Sequence, residues 1–549
     1  MISVMASLFL VALDQTIIAT ALGKIVEEFN AFSSLSWIVT AYLITTTMTV
    51  PIAGKLSDLF GRRTILLVGV AIFVGASLMS GLSGNITELI IWRAVQGIGG
   101  GIITANAFTI VGDLFAARER GRWQGLIGAV FGLASVVGPL LGGWLTDGHS
   151  IFSLTTDWRW TFFINVPIGI VAFILIAIYC PALRHATKAK IDYIGAALLS
   201  LGLATLILAV DNTDVIFADL MSATGLTLAG LRIIMFSIVA LATAGFIYVE
   251  HKAKEPILPL KFFKNRNYVT ILIIATMFGA AFMGSILYLT QFNQQVFGAS
   301  PTDSGLMLLP MVGGIMTSSI ISGQIISRTG RYKIFMQVGF IVATGAMIAL
   351  TFLSPEMSYG YEAVVMVVLG LGMGVAMPVL NLAIQNEVEQ KDLGVATSSS
   401  QLFRSLGSTI GTAVFGAMLT AGILTQVPAM RDTAYIQSLA QNEQVTRLGE
   451  IDDPNTLLTL NMPDVKAEIS SAAQTQFNTL PAPYGEQASE TFTKNQDEFA
   501  GKVTHAFSDS LQRIFIVASS LVGLSAVLVF TLKEKKLRSA SPDATPGEM

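Results

Sequence analysis

Runs of about 20 apolar residues recur along the whole chain, and no other feature restricts its fold so severely. In lipid a backbone must satisfy its own hydrogen bonds, so such runs become helices. Fourteen can be placed, at about 2–22, 36–53, 64–83, 88–111, 122–145, 160–181, 191–211, 229–249, 268–292, 304–326, 334–353, 361–385, 397–424 and 511–532. Charged residues make up only 13% of the chain, against roughly 25% in soluble domains. The expectation is an all-α membrane protein with 14 transmembrane helices. Ile2–Ala21 has neither a basic leader nor a cleavage site, so it reads as the first span.

Basic residues orient the spans. Lys55, Arg62 and Arg63 follow the second, Arg118, Arg120 and Arg122 the fourth, and Arg184, Lys188 and Lys190 the sixth. Lys252, Lys254, Lys261, Lys264 and Arg266 follow the eighth, and Arg328, Arg331 and Lys333 the tenth. Lys533, Lys535, Lys536 and Arg538 lie in the tail, whereas connections after odd-numbered spans hold little beyond Lys24, Arg159 and Arg232. Positive charge stays cytoplasmic, so both termini are expected inside.

An internal repeat divides the chain. Gly54-x-x-x-Asp58-x-x-Gly61-Arg62 recurs as Gly323-x-x-x-Ser327-x-x-Gly330-Arg331, and Gly97-Ile-Gly-Gly-Gly101 as Gly370-Leu-Gly-Met-Gly374. Gly121 and Gly138 match Gly394 and Gly411 at a constant offset. Two six-helix halves follow, 1–185 and 263–549, with a two-span insert at 186–262. Ser327, Met366 and Thr412 stand in the second half where the first has Asp58, Arg93 and Pro139, which concentrates the charges in the first. The polar stretch 425–510 falls outside the membrane, as a spacer or as a lid. Phe499, Val503, Phe507 and Leu511 have helical spacing and extend the last span outward. The middle, with Pro454, Pro463, Pro481 and Pro483, reads as irregular.

A few polar residues stand inside the apolar runs. Asp14, in mid-span, costs about 2.5–3.5 kcal/mol on insertion scales unless it is wet, paired or protonated. An apolar medium favours the neutral acid, which makes proton uptake and release there possible. Arg93 cannot shed its charge and must find a carboxylate, carbonyls or water; near the outer end it also has the option of snorkelling. Gly54–Arg63 forms a tight turn in which Asp58 can pair with a base or with a helix N-terminus of the other half. A contact of that kind is a two-state latch. Gly121, Gly125, Gly128, Gly132, Gly138, Gly142 and Gly143 line a smooth helix face for close packing, and Pro139 favours a kink. The single cysteine, Cys180, forms no internal disulfide and has no metal-ligand cluster around it. His149, His185, His251 and His505 all fall in or near polar connections.

These motifs resemble a known family. Gly54-Lys55-Leu56-Ser57-Asp58-Leu59-Phe60-Gly61-Arg62-Arg63 is similar to the G-x-L-x-D-x-x-G-R-[RK] signature of the major facilitator superfamily, and Arg93-Ala94-Val95-Gln96-Gly97 to its R-x-x-Q-G motif. Ala134 with Gly138-Pro139-Leu140-Leu141-Gly142-Gly143 resembles its antiporter motif, with alanine at the first glycine. Leu13-Asp14-Gln15-Thr16, Trp37–Tyr42 and Asp157–Gly169 resemble the fourteen-span drug:proton antiporters, from which Gly23 departs where proline is usual. The resemblance implies a major facilitator fold and export driven by the proton gradient, with no cofactor and no metal. It makes Asp14 and Arg93 the proton-coupling residues. Asp58 and Arg62 become gating residues, and Gly138, Pro139 and Gly142 the antiporter hinge. Arg404 either joins Asp58 in the latch or snorkels inward. A cavity between the halves would be lined by Phe278, Phe282, Tyr288, Met373, Asn381 and Gln385, with Met277, Met283, Met307, Met311 and Met377 as adaptable apolar contacts.

The leading reading is therefore a monomeric proton-coupled exporter of hydrophobic, often cationic, small molecules in the cytoplasmic membrane. Export of a native lipid or amphiphile shares every motif. A non-transporting sensor would be expected to lack the coupling charges, and these remain. No G-x-x-x-x-G-K-[ST] loop supports direct ATP coupling, no nucleophile–base constellation marks an enzyme, and no nucleic-acid partner is implied.

Overall fold

The computed structural model describes residues 1–29, 35–146, 150–151, 154–181, 192–210, 213–299, 301–439, 454–481 and 483–537. His149, Arg184, His185, Lys188, Lys190 and Arg538 lie outside these, as does the expected boundary at 185–186. Fourteen long helices follow in order: α1 (Ile2–Phe29), α2 (Leu35–Phe60), α3 (Arg62–Gly81), α4 (Ile86–Leu114), α5 (Ala117–Thr146), α6 (Trp160–Tyr179), α7 (Tyr193–Val210), α8 (Leu228–Lys252), α9 (Arg266–Gln295), α10 (Leu309–Thr329), α11 (Lys333–Leu350), α12 (Tyr359–Gln385), α13 (Leu393–Leu424) and α14 (Tyr484–Thr531). Each covers one of the apolar runs. Thirteen are long and apolar enough to cross a membrane, while the apolar part of α1 is the shorter Ile2–Ile18. Among the described residues one two-residue antiparallel ladder, Ser150–Ile151 with Leu154–Thr155, lies between α5 and α6.

The two signature turns share one device. Gly61, at φ 93°, separates α2 from α3, and Gly330, at φ 69°, ends α10. Both need the left-handed region that favours glycine. Elsewhere glycine serves approach, since helices in lipid gain from close contact more than from hydrophobicity. A Cβ on Gly99 would lie 2.6 Å from Phe73 N and 2.7 Å from Gly69 O; on Gly372 it would lie 2.5 Å from Ala343 N and 2.7 Å from Gly339 O. The α4–α3 and α12–α11 contacts are thus made by matching glycines of the repeat.

The glycine face of α5 packs on α10. A Cβ on Gly128 would sit 2.5 Å from Ser319 Oγ, and one on Gly132 would sit 2.8 Å from Met316 Cγ. Higher up, Gly138 turns to α1, where a Cβ would overlap Thr16 Oγ1, and Thr16 donates to Ala134 O at 3.0 Å. Pro139 lies inside the helix and Gly142 is buried. Helices α7 and α8 pack on each other and, through α7, against α2 and α13.

The segment between α13 and α14 corrects the expectation of an irregular middle. Its described part is helical: Val427–Arg431, Ala434–Leu439, Pro454–Leu460 and Pro463–Phe477 precede α14. Pro454 and Pro463 open helices, where a missing N–H costs nothing, and Pro483 is the residue before α14. Helix α14 is continuous for 48 residues, and its part before residue 511 projects about 40 Å at 1.5 Å per residue. Phe499, Val503, Phe507 and Leu511 are buried along it. The Tyr435 ring packs on Phe499 and Phe492 at 5.3 and 5.5 Å, and its hydroxyl accepts from Gln496 at 3.0 Å. Asn461 donates to Gln295 O (3.3 Å) and Ser508 to Leu353 O (3.2 Å), which ties the segment to the second half. His505 lies on α14 rather than in a connection, 3.8 Å from Glu356, and His251 is in the last turn of α8.

Candidate functional site

The first site is a buried charge centre between α1, α4 and α6. Mid-helix Asp14 of α1 and the Arg93-Ala-Val-Gln96 turn of α4 face each other directly. Arg93 Nη1 donates to Asp14 Oδ2 at 2.7 Å, and both side chains are 1% exposed. Gln96 and Asn165 donate to Asp14 Oδ1 at 2.8 and 2.9 Å. Arg93 also donates to Gln96 Oε1 (2.9 Å) and stacks over the Tyr42 ring at 4.4 Å. Asn165 donates in addition to Ser77 Oγ (3.1 Å), whose hydroxyl donates to Phe162 O (3.0 Å). Arg93 therefore points inward to a carboxylate and does not snorkel. An acid so held has one cationic and two neutral donors, so a proton or a cation can replace the guanidinium without leaving it bare.

The second site lies at the end where the basic connections gather. Arg62, 1% exposed, pairs with Asp58 of its own turn and with Asp113 at the end of α4, the latter at 2.6 Å. The pair abuts the start of α13, because a Cβ on Gly394 would meet the Asp58 carboxylate and, at 2.7 Å, Arg62 Nη1. The positive end of a helix from the second half thus faces Asp58. Neighbouring bonds join the halves here. Gln124 donates to Gln385 Oε1 (3.0 Å), Gln385 to Phe108 O (3.2 Å), Arg120 to Gln390 Oε1 (3.2 Å) and Gln390 to Gly112 O (3.2 Å). This end is closed.

Arg404 is not in the latch. It bonds within its own helix to Gln401, while Asp58 is served by Arg62. The residues expected to line a cavity are largely packed. Phe278 is buried, stacked on Phe282 (5.4 Å) and edge-on to Phe340 (6.3 Å). Tyr288 is buried against Phe415 and donates to Thr412 O at 3.4 Å, and Met373 is buried in the same cluster. Gln385 belongs to the closed end. Asn381 is buried with its amide nitrogen lacking a hydrogen-bond partner among the described residues.

Several participants were not singled out in the sequence. Asn165, Tyr42 and Ser77 are ordinary polar residues in spans, the first two inside motifs noted only for resemblance. Asp113 lies just beyond the fourth run as drawn, and Glu362 is the second residue of the twelfth, where an acid beside a span boundary draws no notice. At the opposite end of α1, Arg159 pairs with Glu28 (2.8 Å), which also accepts from Trp158 Nε1 (2.6 Å). The hydrogen bond from Arg159, against the opposing effect of burial, holds the Glu28 carboxyl below its ordinary value.

A fourteen-helix chain with an intramembrane ion pair and a glycine-packed repeat defines a multi-pass membrane transporter. The family model for the Major Facilitator Superfamily matches residues 4–412, and the chain belongs to that superfamily. It is 35% identical to the multidrug transporter protein MdtP of Bacillus subtilis over 537 residues, covering 97% of this chain and 92% of MdtP. It is 36% identical to multidrug resistance protein 3 of the same organism, covering 74% and 77% of the two chains. Among solved structures, the human organic anion transporter MFSD10 aligns with a TM-score of 0.57 at 15% identity, over 76% of this chain and 92% of that one. A bacterial homolog of the lysosomal transporter Spinster aligns with a TM-score of 0.53 at 14% identity, over 97% and 98%. Membership makes the protein a transporter and not an enzyme.

Proposed function

We propose that this protein exports hydrophobic, often cationic, compounds across the cytoplasmic membrane in exchange for protons, by alternating access. The observation that carries the reading is the Asp14 carboxylate, buried in mid-span and held by Arg93, Gln96 and Asn165. A proton arriving at Asp14 cancels its attraction for Arg93 and frees the guanidinium, so occupancy of the acid and packing of α1 on α4 change together. The relatives named as multidrug transporters support a small-molecule drug substrate.

The concentration of basic residues at the Arg62 end supports a cytoplasmic position for that end and for both termini. With Arg62, Asp58 and Asp113 engaged, the state described is closed toward the cytoplasm. Turnover requires that latch to break while α5 pivots on α1 at Gly138–Pro139 and Gly142. Unpaired Arg62 would then seek water, which makes the two states discrete.

The test uses full-length protein in liposomes loaded with a pH dye. An imposed proton gradient is combined with lipophilic cations and fluorescent lipids, and Asp14→Asn serves as control. Gradient-driven cation movement, lost in Asp14→Asn, is the expected result. Lipid movement without cation movement would replace the drug reading by amphiphile export. Gradient-driven transport undiminished in Asp14→Asn would remove Asp14 from coupling.

A further inference from the structure

We propose that Glu362, in the first turn of α12, is a second proton-carrying site, with Asn293 of α9 as the amide that serves it in both protonation states. The inference rests on the proton-coupled reading above and adds a carrier in the half of the molecule that lacks the signature charges.

Glu362 and Asn293 are both fully buried. With its amide turned so that both ends are satisfied, Asn293 donates from its nitrogen to Glu362 Oε2 at 2.8 Å and to Oε1 at 3.0 Å. Tyr359, one turn earlier, is the titratable neighbour, and its hydroxyl donates to Met307 O at 2.9 Å. Among the described residues no cation from α9, α10, α11 or α13 pairs with Glu362. A lone carboxylate in an apolar interior is costly, whereas a neutral acid bonded to an amide is not.

An amide suits a proton carrier for a geometric reason. Its nitrogen donates to a carboxylate, and after a half-turn its oxygen accepts from the protonated acid at the same place. The carboxylate state leaves neither end of the amide unpaired. Protonation adds one proton to one carboxyl oxygen and release removes it, with no other bond changed.

The location is not arbitrary. Gly138 meets Thr16 of α1, and its repeat partner Gly411 meets Ala280 of α9. Gly99 and Gly372 make the matching α4–α3 and α12–α11 contacts. Helices α9 and α12 therefore correspond to α1 and α4, the pair that holds Asp14 and Arg93. Each half carries one buried acid bridging its first and fourth helices. In the first half a guanidinium neutralises it; in the second an amide accompanies it.

Infrared difference spectroscopy of the full chain in liposomes, between acid and alkaline pH, reads the site without transport. The wild type should show a protonated-carboxyl band that Glu362→Gln removes. Asn293→Ser should shift the band's frequency, which assigns it even if Glu362→Gln does not fold. In a gradient, protons moved per tetraphenylphosphonium should fall about twofold in Glu362→Gln, one of two carriers being gone. A spectrum unchanged by both variants overturns the proposal, and so does an unchanged proton ratio. If the wild type moves no protons at all, the coupling reading fails separately, and the band still decides whether Glu362 takes up and releases one.

Discussion

Replacing Arg93 by methionine isolates the buried charge pair. The guanidinium donates to Asp14 at 2.7 Å with both side chains 1% exposed. Removing one partner of such a pair costs about 3–5 kcal/mol, because the other charge stays buried and unpaired. Lost stacking over Tyr42, at 4.4 Å, adds about 0.5–2 kcal/mol. Gln96 and Asn165 still donate to Asp14, which favours the low end, about 3 kcal/mol, for the ionic part. Adding Asp14→Asn removes the stranded charge, so the double variant should regain about 2–3 kcal/mol relative to the sum of the single losses. The assay is a double-mutant cycle by reversible unfolding in micelles, comparing wild type, Arg93→Met, Asp14→Asn and the double variant. Simple additivity would refute the reasoning, since the two charges would then not be stabilising one another.

Acid should loosen the C-terminal end of α1. The Glu28 carboxyl is held below the ordinary glutamate value chiefly by the hydrogen bond from Arg159. Its contribution is present above the ordinary glutamate pKa and is lost as pH falls through the depressed folded value. Trp158 fluorescence should follow, and Glu28→Gln should abolish that transition. Gly128→Leu should push α5 off α10, since even a Cβ there lies 2.5 Å from Ser319 Oγ; transport should cease while the helix content by circular dichroism is retained. Asp113→Asn removes one of the two acids on Arg62 and should favour opening at that end. Faster thiol labelling of a cysteine placed at Gln390 checks this, with buried Cys180 as the only background thiol. Tyr435→Ala should cost about 3–5 kcal/mol locally, read as faster proteolysis within 425–483 with the membrane helices intact.

Much of this architecture is written locally. An apolar run of membrane length must become a helix whatever surrounds it, so the spans, the repeat and the two signature turns were legible. Asp14 and Arg93 were legible as residues that must find partners, because a charge in an apolar run is expensive before its partner is known. The segment between α13 and α14 was harder. Prolines mark breaks in a pattern, yet at a helix start they are tolerated, and only the burial of Tyr435 against Phe492 and Phe499 shows a packed unit.

The partners themselves were not legible. Asp14 meets Arg93 across 79 residues of sequence and Asn165 across 151. Arg62 takes Asp113, 51 residues away, and Arg404 turns to its own helix. Phe278, Tyr288 and Met373 went to packing, not to an open wall. The sequence by itself determined a membrane-spanning, internally repeated transporter with costly charges at known points along its helices. The tertiary structure alone decided which charges meet. Pairing in a medium of low dielectric depends on a few ångströms of separation between different helices, and spacing along the chain carries none of that distance.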